Sequence, residues 1–468
     1  MHVLLTHGYF LQEDLKELQI MKPYPPLGLL YLSSYLKARG HDVEVFDTTF
    51  RSPQDLINRL QAATPGIVGI YANLMTRSKV VAIIRTAKAL GWKVVLGGPE
   101  PFNYIPEYLS VGADVIVNGE GEATLDELIA AFRGRNPSDL ERVAGIAFRG
   151  SNGTIIETSV RPLIQQLDEL PWPDREAIDL SLYLNAWREH HGSSSVSLIT
   201  ARGCAYHCRW CSHSVYGKTH RRRSPTSVID EIEWLCSRYQ PDMLWIADDV
   251  FTVHPGWFFR YADEMKRRNL LIPFECITRA DRMNDKVADA LAELRCFRVW
   301  IGSESGSQRI LDSMERGVSV GEVRQAIRLC KDRGIQTGMF LMWGYLGEEL
   351  VDIEETIEQV KASDPDVFLT TVAYPIKGTG YFDDVAASVV NGSAWEHSSD
   401  REYRIRGRHS RQYYHFADQL LKNEVALHRL LKTSEADSPE ASAELIKLRQ
   451  RSLQAREGLR RTHAEVEA

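Results

Sequence analysis

The chain lacks the features that mark membrane, secreted and disulfide-rich proteins. No apolar run approaches the roughly 18 residues needed to span a bilayer, and the start has no basic stretch followed by a long apolar one. Seven cysteines in 468 residues are too few, and odd in number, for a fully paired disulfide scaffold. We therefore expect a cytoplasmic protein with reduced thiols and no membrane span.

The chain also has no large excess of charge of either sign. The chain has 56 Lys and Arg against 63 Asp and Glu, a formal net charge of −7. This balance disfavours a globally basic nucleic-acid binder, so we expect no nucleic-acid partner. Hydrophobic residues make up 44% of the chain, enough to build a core in each of the roughly three domains that its length suggests.

Residues 1–135 alternate short apolar runs with stretches whose apolar residues recur at helical spacing. The runs are apolar on both faces, which is typical of parallel strands covered by helices. This order predicts a doubly wound, Rossmann- or flavodoxin-like α/β domain. Such sheets bind ligands where the strands end. The expected rim consists of Thr6–Gly8, Ala72–Met75, Gly97–Gly98 and Gly119–Gly121.

Three further segments follow. Residues 136–194 are less periodic and rich in turn residues, which predicts a linker with a small hairpin. Residues 195–382 resume the alternation with six or seven βα units, which predicts a partial parallel β/α barrel, (β/α)6 in form. Residues 383–468 predict a helical carboxyl-terminal region with a polar tail. The basic stretch 401–411 indicates either a solvated face or contact with an anionic partner.

Three of the seven cysteines, Cys204, Cys208 and Cys211, lie within eight residues, directly after a predicted strand. Three thiolates in one loop can share a small inorganic centre. A structural zinc ion needs four ligands, so a zinc site would require His207 or His213 as well. A four-iron cubane held by three thiolates would instead leave one iron open to a further ligand. The other cysteines have no short spacing and are expected to be buried apolar residues: Cys236, Cys276, Cys296 and Cys330.

The Cys-x3-Cys-x2-Cys spacing after the first barrel strand resembles the radical S-adenosylmethionine (SAM) superfamily, over roughly residues 195–380. In that family the open iron of a 4Fe–4S cluster binds SAM, and one electron cleaves it to a 5′-deoxyadenosyl radical. The resemblance implies that Cys204, Cys208 and Cys211 ligate the cluster and that Trp210 lies by the adenine. It also implies an electron donor such as a flavodoxin or a ferredoxin.

Later segments resemble the same family in the expected order. Asp248 and Asp249 match an Asp-Asp-x-Phe-Thr segment near the SAM amino group, although they could instead cap the following helix. Arg279 begins an Arg-Ala-Asp match. Glu304 and Ser305 match a Gly-x-Glu-Ser-Gly-Ser segment whose glutamate approaches the ribose or methionyl end of SAM. Packing alone explains Glu304 poorly, because an unpaired buried carboxylate is costly.

The amino-terminal segment resembles the cobalamin-binding domain that precedes the barrel in class B radical SAM enzymes. The resemblance rests on Pro25–Leu32, Gly97–Glu100 and Gly119–Glu122. It implies a corrin close to strand-end glycines. The Asp-x-His-x-x-Gly signature is absent, and His7 is read as a hydrogen-bonding loop residue. The residues implied to contact cobalamin are Asn73, Leu74, Met75, Gly97, Gly98, Gly119, Glu120 and Gly121. The alternative is a domain that has lost its ligand.

These observations predict a cobalamin-dependent radical SAM enzyme that methylates an unactivated carbon of a small molecule. An alternative in the same class is oxidative cyclisation or ring rearrangement, as in anaerobic magnesium-protoporphyrin cyclases. A non-catalytic iron–sulfur sensor or electron carrier is disfavoured, because carriers usually ligate every iron with a protein thiolate. A methylthiotransferase, which carries a cluster in its amino-terminal domain, is excluded because no cysteine precedes Cys204.

Overall fold

The computed structural model describes residues 1–134, 137–390, 392–432 and 439–468. The chain forms two compact units. The first comprises residues 1–206, 212–247 and 393–400, and the second comprises residues 207–211, 248–392 and 401–468. These units do not follow the four predicted segments one for one, so the predicted boundaries remain predictions. The boundary expected between 135 and 136 lies outside the described residues.

The first unit contains eleven of the described strands and eight of the described α-helices. The strands are β1 His2–His7, β2 Asp42–Phe46, β3 Ile67–Tyr71, β4 Lys93–Gly97, β5 Val115–Val117, β6 Ile146–Arg149, β7 Ile155–Glu157, β8 Ser195–Leu198, β9 Ala201–Arg202, β10 Arg221–Arg222 and β11 Met243–Ile246. The helices are α1 Leu15–Ile20, α2 Leu27–Lys37, α3 Pro53–Ala62, α4 Arg77–Ala89, α5 Ile105–Val111, α6 Glu122–Gly134, α7 Leu180–His191 and α8 Pro225–Tyr239.

The main sheet of this unit has the order β2-β1-β3-β4-β5-β6-β7, with its first five strands parallel. Alternate strand residues point to opposite faces. Leu4 accordingly belongs to one buried apolar cluster, and Val3 and Leu5 belong to the other. Helices cover both faces, and the predicted doubly wound domain is confirmed. The strand order reverses between β1 and β3, the place where sheets of this kind bind ligands.

The hairpin predicted within 136–194 is present as β6 and β7, but it does more than connect. Val115 of β5 pairs antiparallel with Phe148 of β6, so the hairpin extends the main sheet. Helix α7 follows and buries Trp187. The sequence therefore predicted the hairpin but not helix α7.

The second unit contains β12 Phe274–Thr278, β13 Cys296–Glu304, β14 Gln336–Trp343, β15 Val367–Val372, β16 Val389–Val390 and β17 Arg404–Ile405. Its helices are α9 Pro255–Arg267, α10 Asp285–Glu293, α11 Gln308–Ser313, α12 Val320–Lys331, α13 Leu350–Ser363, α14 Gly380–Val385, α15 Arg411–Leu431 and α16 Pro439–Thr462. Strands β12 to β15 pair in parallel in chain order. In the first unit, β11 pairs in parallel with β8. The predicted alternation of strands and helices is confirmed.

The polar tail predicted at the carboxyl end is, over its described part, the 24-residue helix α16. Its composition is charged, but Leu448, Ala455 and Leu459 are buried. Gly458 lies against the ring of Phe416 on α15, where a Cβ would overlap the ring. Because these buried residues are far apart in the sequence, hydrophobic periodicity does not indicate where α16 begins and ends. None of the described helices combines the length and the apolarity needed to cross a membrane.

Candidate functional site

The loop that follows β9 carries the three clustered cysteines. Cys204 belongs to the first unit, and Cys208 and Cys211 belong to the second. Cys204 and Cys208 are half-buried and Cys211 is exposed, and all three are free thiols. In the second unit the backbone N–H of Cys211 donates to the carbonyl of Cys208 at 3.1 Å, which closes a tight turn between them.

Two buried arginines approach the sulfur of Cys208. Arg279 Nη1 lies 4.0 Å and Arg316 Nη1 lies 3.9 Å from Cys208 Sγ. Guanidinium groups cannot lose their charge in a protein and offer several N–H donors. The arrangement therefore suits an anionic sulfur ligand. Arg279 stands in a recognisable sequence segment, whereas Arg316 stands in none and was not predicted; it lies just after the turn that follows α11.

The surrounding residues hold both guanidinium groups in place. Arg279 donates through Nε to Asp281 Oδ1 at 2.8 Å and through Nη2 to the carbonyl of Arg316 at 2.9 Å. Arg316 donates through Nη2 to the carbonyl of Gly302 at 2.9 Å. The Arg-Ala-Asp match thus has a physical reason, because its aspartate orients its arginine.

Glu304 ends β13 beside this pair of arginines. Its side chain is 12% exposed, and its Oε1 lies 3.7 Å from Arg316 Nε. Burial raises the pKa of Glu304 to about 7, against the opposing charges of Arg316 and Arg279. Its φ of 59° is left-handed, a conformation that costs energy in a residue other than glycine. Gly302 makes room for the group, since a Cβ there would lie 2.6 Å from Glu304 Oε1.

The serines after Glu304 bind neighbouring parts of the second unit. Ser305 Oγ lies 3.2 Å from Thr356 Oγ1 and accepts a hydrogen bond from the N–H of Ser307. Ser307 donates to Asp352 Oδ1 at 2.7 Å. These bonds fix the loop behind Glu304. A contact between Ser305 and SAM remains a prediction.

Asp248 and Asp249 follow β11 and do not cap the next helix, because the N-cap of α9 is His254. Asp248 is buried and Asp249 reaches the surface. The pKa of Asp249 is raised, first because the surrounding protein removes water from the carboxylate and second because Asp248 carries a like charge. Trp210, the aromatic residue before Cys211, is half-buried against an apolar cluster that includes Tyr345.

The arginines nearest the cysteines in sequence pair elsewhere. In the first unit Arg202 donates to Glu120 Oε1 at 2.7 Å and to Glu122 Oε1 at 2.5 Å. Arg221 also donates to Glu120, at 2.8 Å. The Glu120 carboxylate, predicted to contact cobalamin, is therefore held in buried ion pairs. In the second unit Arg209 donates to Asp384 Oδ2 at 2.7 Å.

The structure brings the strand-end residues of the first unit to one edge of the main sheet. After β3, Asn73 Oδ1 accepts from the N–H of Met75 at 2.9 Å, and this turn leaves Met75 53% exposed. Gly98 has a φ of 107° and lies against the carbonyl of Ala72, so a side chain there would collide with the loop. Gly97 faces open space, since a Cβ there would meet no atom within 4 Å.

His7 lies on the same edge, but both of its ring nitrogens have partners. Nε2 lies 2.9 Å from Asp47 Oδ1, and Nδ1 lies 3.0 Å from the hydroxyl of Thr48. The side chain is 5% exposed. This arrangement agrees with the interpretation of His7 as a hydrogen-bonding residue.

Comparison with known proteins gives two family matches. Residues 198–360 match the radical SAM superfamily, and residues 19–129 match the B12 binding domain. An uncharacterized methyltransferase of Pyrococcus horikoshii is 31% identical over 377 residues, covering 78% of this chain and 79% of that protein. The anaerobic magnesium-protoporphyrin IX monomethyl ester cyclase of Rubrivivax gelatinosus is 29% identical over 360 residues, covering 75% of this chain and 64% of the cyclase.

A solved structure has a similar fold. The radical SAM methyltransferase TsrM of Kitasatospora setae, bound to cobalamin and a 4Fe–4S cluster, superposes with a TM-score of 0.70. The match covers 84% of this chain and 81% of TsrM, at 21% identity. The predicted fold class and family are confirmed. The chain is an enzyme of the radical SAM superfamily, in the group whose members carry an amino-terminal B12 binding domain.

Proposed function

We propose that this enzyme is a cobalamin-dependent radical SAM methyltransferase acting on an unactivated carbon of a small molecule. The observation that carries the proposal is the convergence of Arg279 and Arg316 on Cys208 beside the buried Glu304. When bound, the cluster with SAM supplies a carbon radical, and cobalamin supplies a methyl group.

The residues around Cys208 fit an anionic cluster. Two guanidinium groups aim N–H donors at the sulfur, and their positions are fixed by Asp281 and the carbonyl of Gly302. We assign the cluster to Cys204, Cys208 and Cys211, since no other short cysteine spacing exists in the chain. A cluster held this way has one iron without a protein thiolate.

Glu304 binds SAM in this proposal. A carboxylate accepts hydrogen bonds from the ammonium or hydroxyl groups that SAM presents. Its strained backbone and raised pKa mark a side chain placed at a cost to folding, as binding residues often are. We assign Asp248, Asp249, Arg279 and Trp210 to the same binding region, as the family resemblance implies.

The strand-end edge of the first unit fits a broad, flat cofactor. Gly97 leaves the surface open, and the exposed Met75 offers an apolar contact. We therefore assign cobalamin contacts to Asn73, Leu74, Met75, Gly97, Gly98, Gly119 and Gly121. The backbone of Glu120 remains available to it, while the carboxylate holds Arg202 and Arg221. Because His7 already has two partners, we propose that this domain provides no histidine to the cobalt.

Two further assignments depend on the chemistry of the cluster. SAM cleavage needs one electron, so we propose a flavodoxin or ferredoxin as the donor. A protein that holds an iron–sulfur cluster and keeps its other cysteines as free thiols needs a reducing compartment, and we therefore propose a cytoplasmic location.

The second candidate function is oxidative cyclisation or ring rearrangement, supported by the cyclase relatives at 28–29% identity. The two candidates differ in the fate of the SAM methyl group. The test loads the protein with its cluster and reduced cobalamin and adds SAM with a deuterated methyl group. Methyl transfer predicts S-adenosylhomocysteine, with the label in the cobalamin fraction. Formation of 5′-deoxyadenosine without S-adenosylhomocysteine would favour cyclisation and contradict methyl transfer.

A further inference from the structure

Three potential metal ligands converge at the carboxyl-terminal end of the second unit. Glu349, His409 and His463 each place one ligand atom so that all three atoms lie within 4.8 Å of one another. They come from three separate places: the N-cap of α13, the segment after β17, and the residue that follows α16. None of them belongs to the radical SAM or cobalamin motifs.

The backbone holds these segments together without a metal. Residues 465–467 run antiparallel to residues 407–410, with His409 opposite Val466. Gly407 N–H donates to the carbonyl of Glu467 at 3.0 Å, and Ser410 N–H donates to the carbonyl of Glu465 at 3.0 Å. His409 is thus held by hydrogen-bonded backbone on both sides, and His463 lies between the end of α16 and the paired residues.

The His409 imidazole has the properties of a ligand. Its Nδ1 atom is buried and has no hydrogen-bond partner among the described residues. The ring stacks on Tyr413 with centroids 4.1 Å apart, and its centroid lies 4.9 Å from that of His463. A ring nitrogen without a hydrogen-bond partner is available to coordinate a metal ion.

We propose that Glu349, His409 and His463 bind one Zn²⁺ ion, with water as the fourth ligand. Two imidazoles and one carboxylate are an established zinc ligand set, and no thiolate is present to favour an iron–sulfur centre. Ligand atoms about 2.1 Å from a tetrahedral zinc lie roughly 3.4 Å apart. Glu349 and His463 are exposed, so a change of rotamer can close the remaining gap. The ion would fasten the end of the chain to the start of α13.

The test measures zinc bound to the full-length protein with its iron–sulfur cluster in place. After gel filtration, elemental analysis counts iron and zinc separately, so the cluster is monitored in each sample. A competition titration with a chromogenic chelator gives the zinc affinity. The expected result is one zinc per chain, with affinity at least tenfold weaker in His409→Gln, in His463→Gln and in Glu349→Gln. His415→Gln is the matched control, because His415 is an exposed histidine of α15 outside the triad.

A second measurement guards against misfolding. Zinc should raise the unfolding temperature of the unmodified protein and leave that of His463→Gln unchanged, while the two proteins melt alike in chelator. His463 is exposed, so this variant is expected to fold. Wild-type zinc affinity in both histidine variants, or no zinc bound by the unmodified protein, would overturn the proposal.

Discussion

The substitution Glu304→Gln tests whether Glu304 contributes to SAM binding while it lowers the stability of the folded protein. The carboxylate is buried, and its pKa is raised from 4.5 to about 7. Each pKa unit corresponds to about 1.4 kcal/mol, so the ionised form destabilises the folded protein by about 3 kcal/mol. Below the pKa of the unfolded protein, the Glu304 carboxyl group is protonated in both the folded and the unfolded protein, so this destabilisation is absent. It grows as pH rises from about 4.5 to about 7 and is complete above that range.

Glutamine keeps the shape of the side chain and cannot ionise. The variant should therefore match the unmodified protein near pH 4.5 and become more stable than it at pH 8, while its affinity for SAM falls. The assay is urea unfolding of the cluster-free protein at several pH values, followed by tryptophan fluorescence. A stability difference that does not change with pH, or a less stable variant at pH 8, would refute the reasoning.

Glu322→Gln provides a control of opposite sign. Hydrogen bonds from the backbone and hydroxyl of Ser319 lower the pKa of Glu322. The stability that they contribute is present above the unfolded pKa and is lost as pH falls through the folded pKa. The control variant should therefore lose stability at neutral pH.

Three further predictions concern the cofactors. Arg316→Gln removes one of the donors to Cys208 and leaves Glu304 without its nearest cation. The iron content of this variant after reconstitution should therefore fall. Arg309→Gln, at an exposed arginine, is the control and should keep the iron content of the unmodified protein. Cys208→Ala should abolish the cluster absorbance, whereas Cys276→Ala, at a buried thiol, should leave it unchanged. Loss of iron from Cys276→Ala would contradict the ligand assignment. His7→Ala should leave the electron paramagnetic resonance lines of bound cob(II)alamin unsplit, as in the unmodified protein; triplets that vanish in the variant would show histidine coordination.

Much of the fold was predictable because local patterns coincide with the tertiary structure. Helix α8, Pro225–Tyr239, belongs to the predicted alternation of strands and helices, and a serine cap, an early proline and amphipathic spacing all favour it. Strands β3 and β4 are apolar on both faces because helices cover both sides of the sheet. Helix α16 lies within the predicted helical carboxyl-terminal region, but its bounds were not predicted because its buried residues are sparse in a charged sequence.

The candidate site was predictable only where a motif carries it. The three cysteines and Glu304 stand in recognisable segments. Arg316 does not, because its role depends on a turn that returns the chain to Cys208 from more than a hundred residues away. The pairing of Arg202 with Glu120 likewise depends on strand placement, and sequence spacing does not indicate it.

The central claim is that this chain cleaves SAM reductively at a cluster held by its clustered cysteines. The most direct measurement is formation of 5′-deoxyadenosine from SAM by the anaerobically reconstituted and reduced protein, compared with the Cys208→Ala variant. The account predicts the product with the unmodified protein and none with the variant. No product from a protein with a complete cluster, or equal product from the variant, would contradict it.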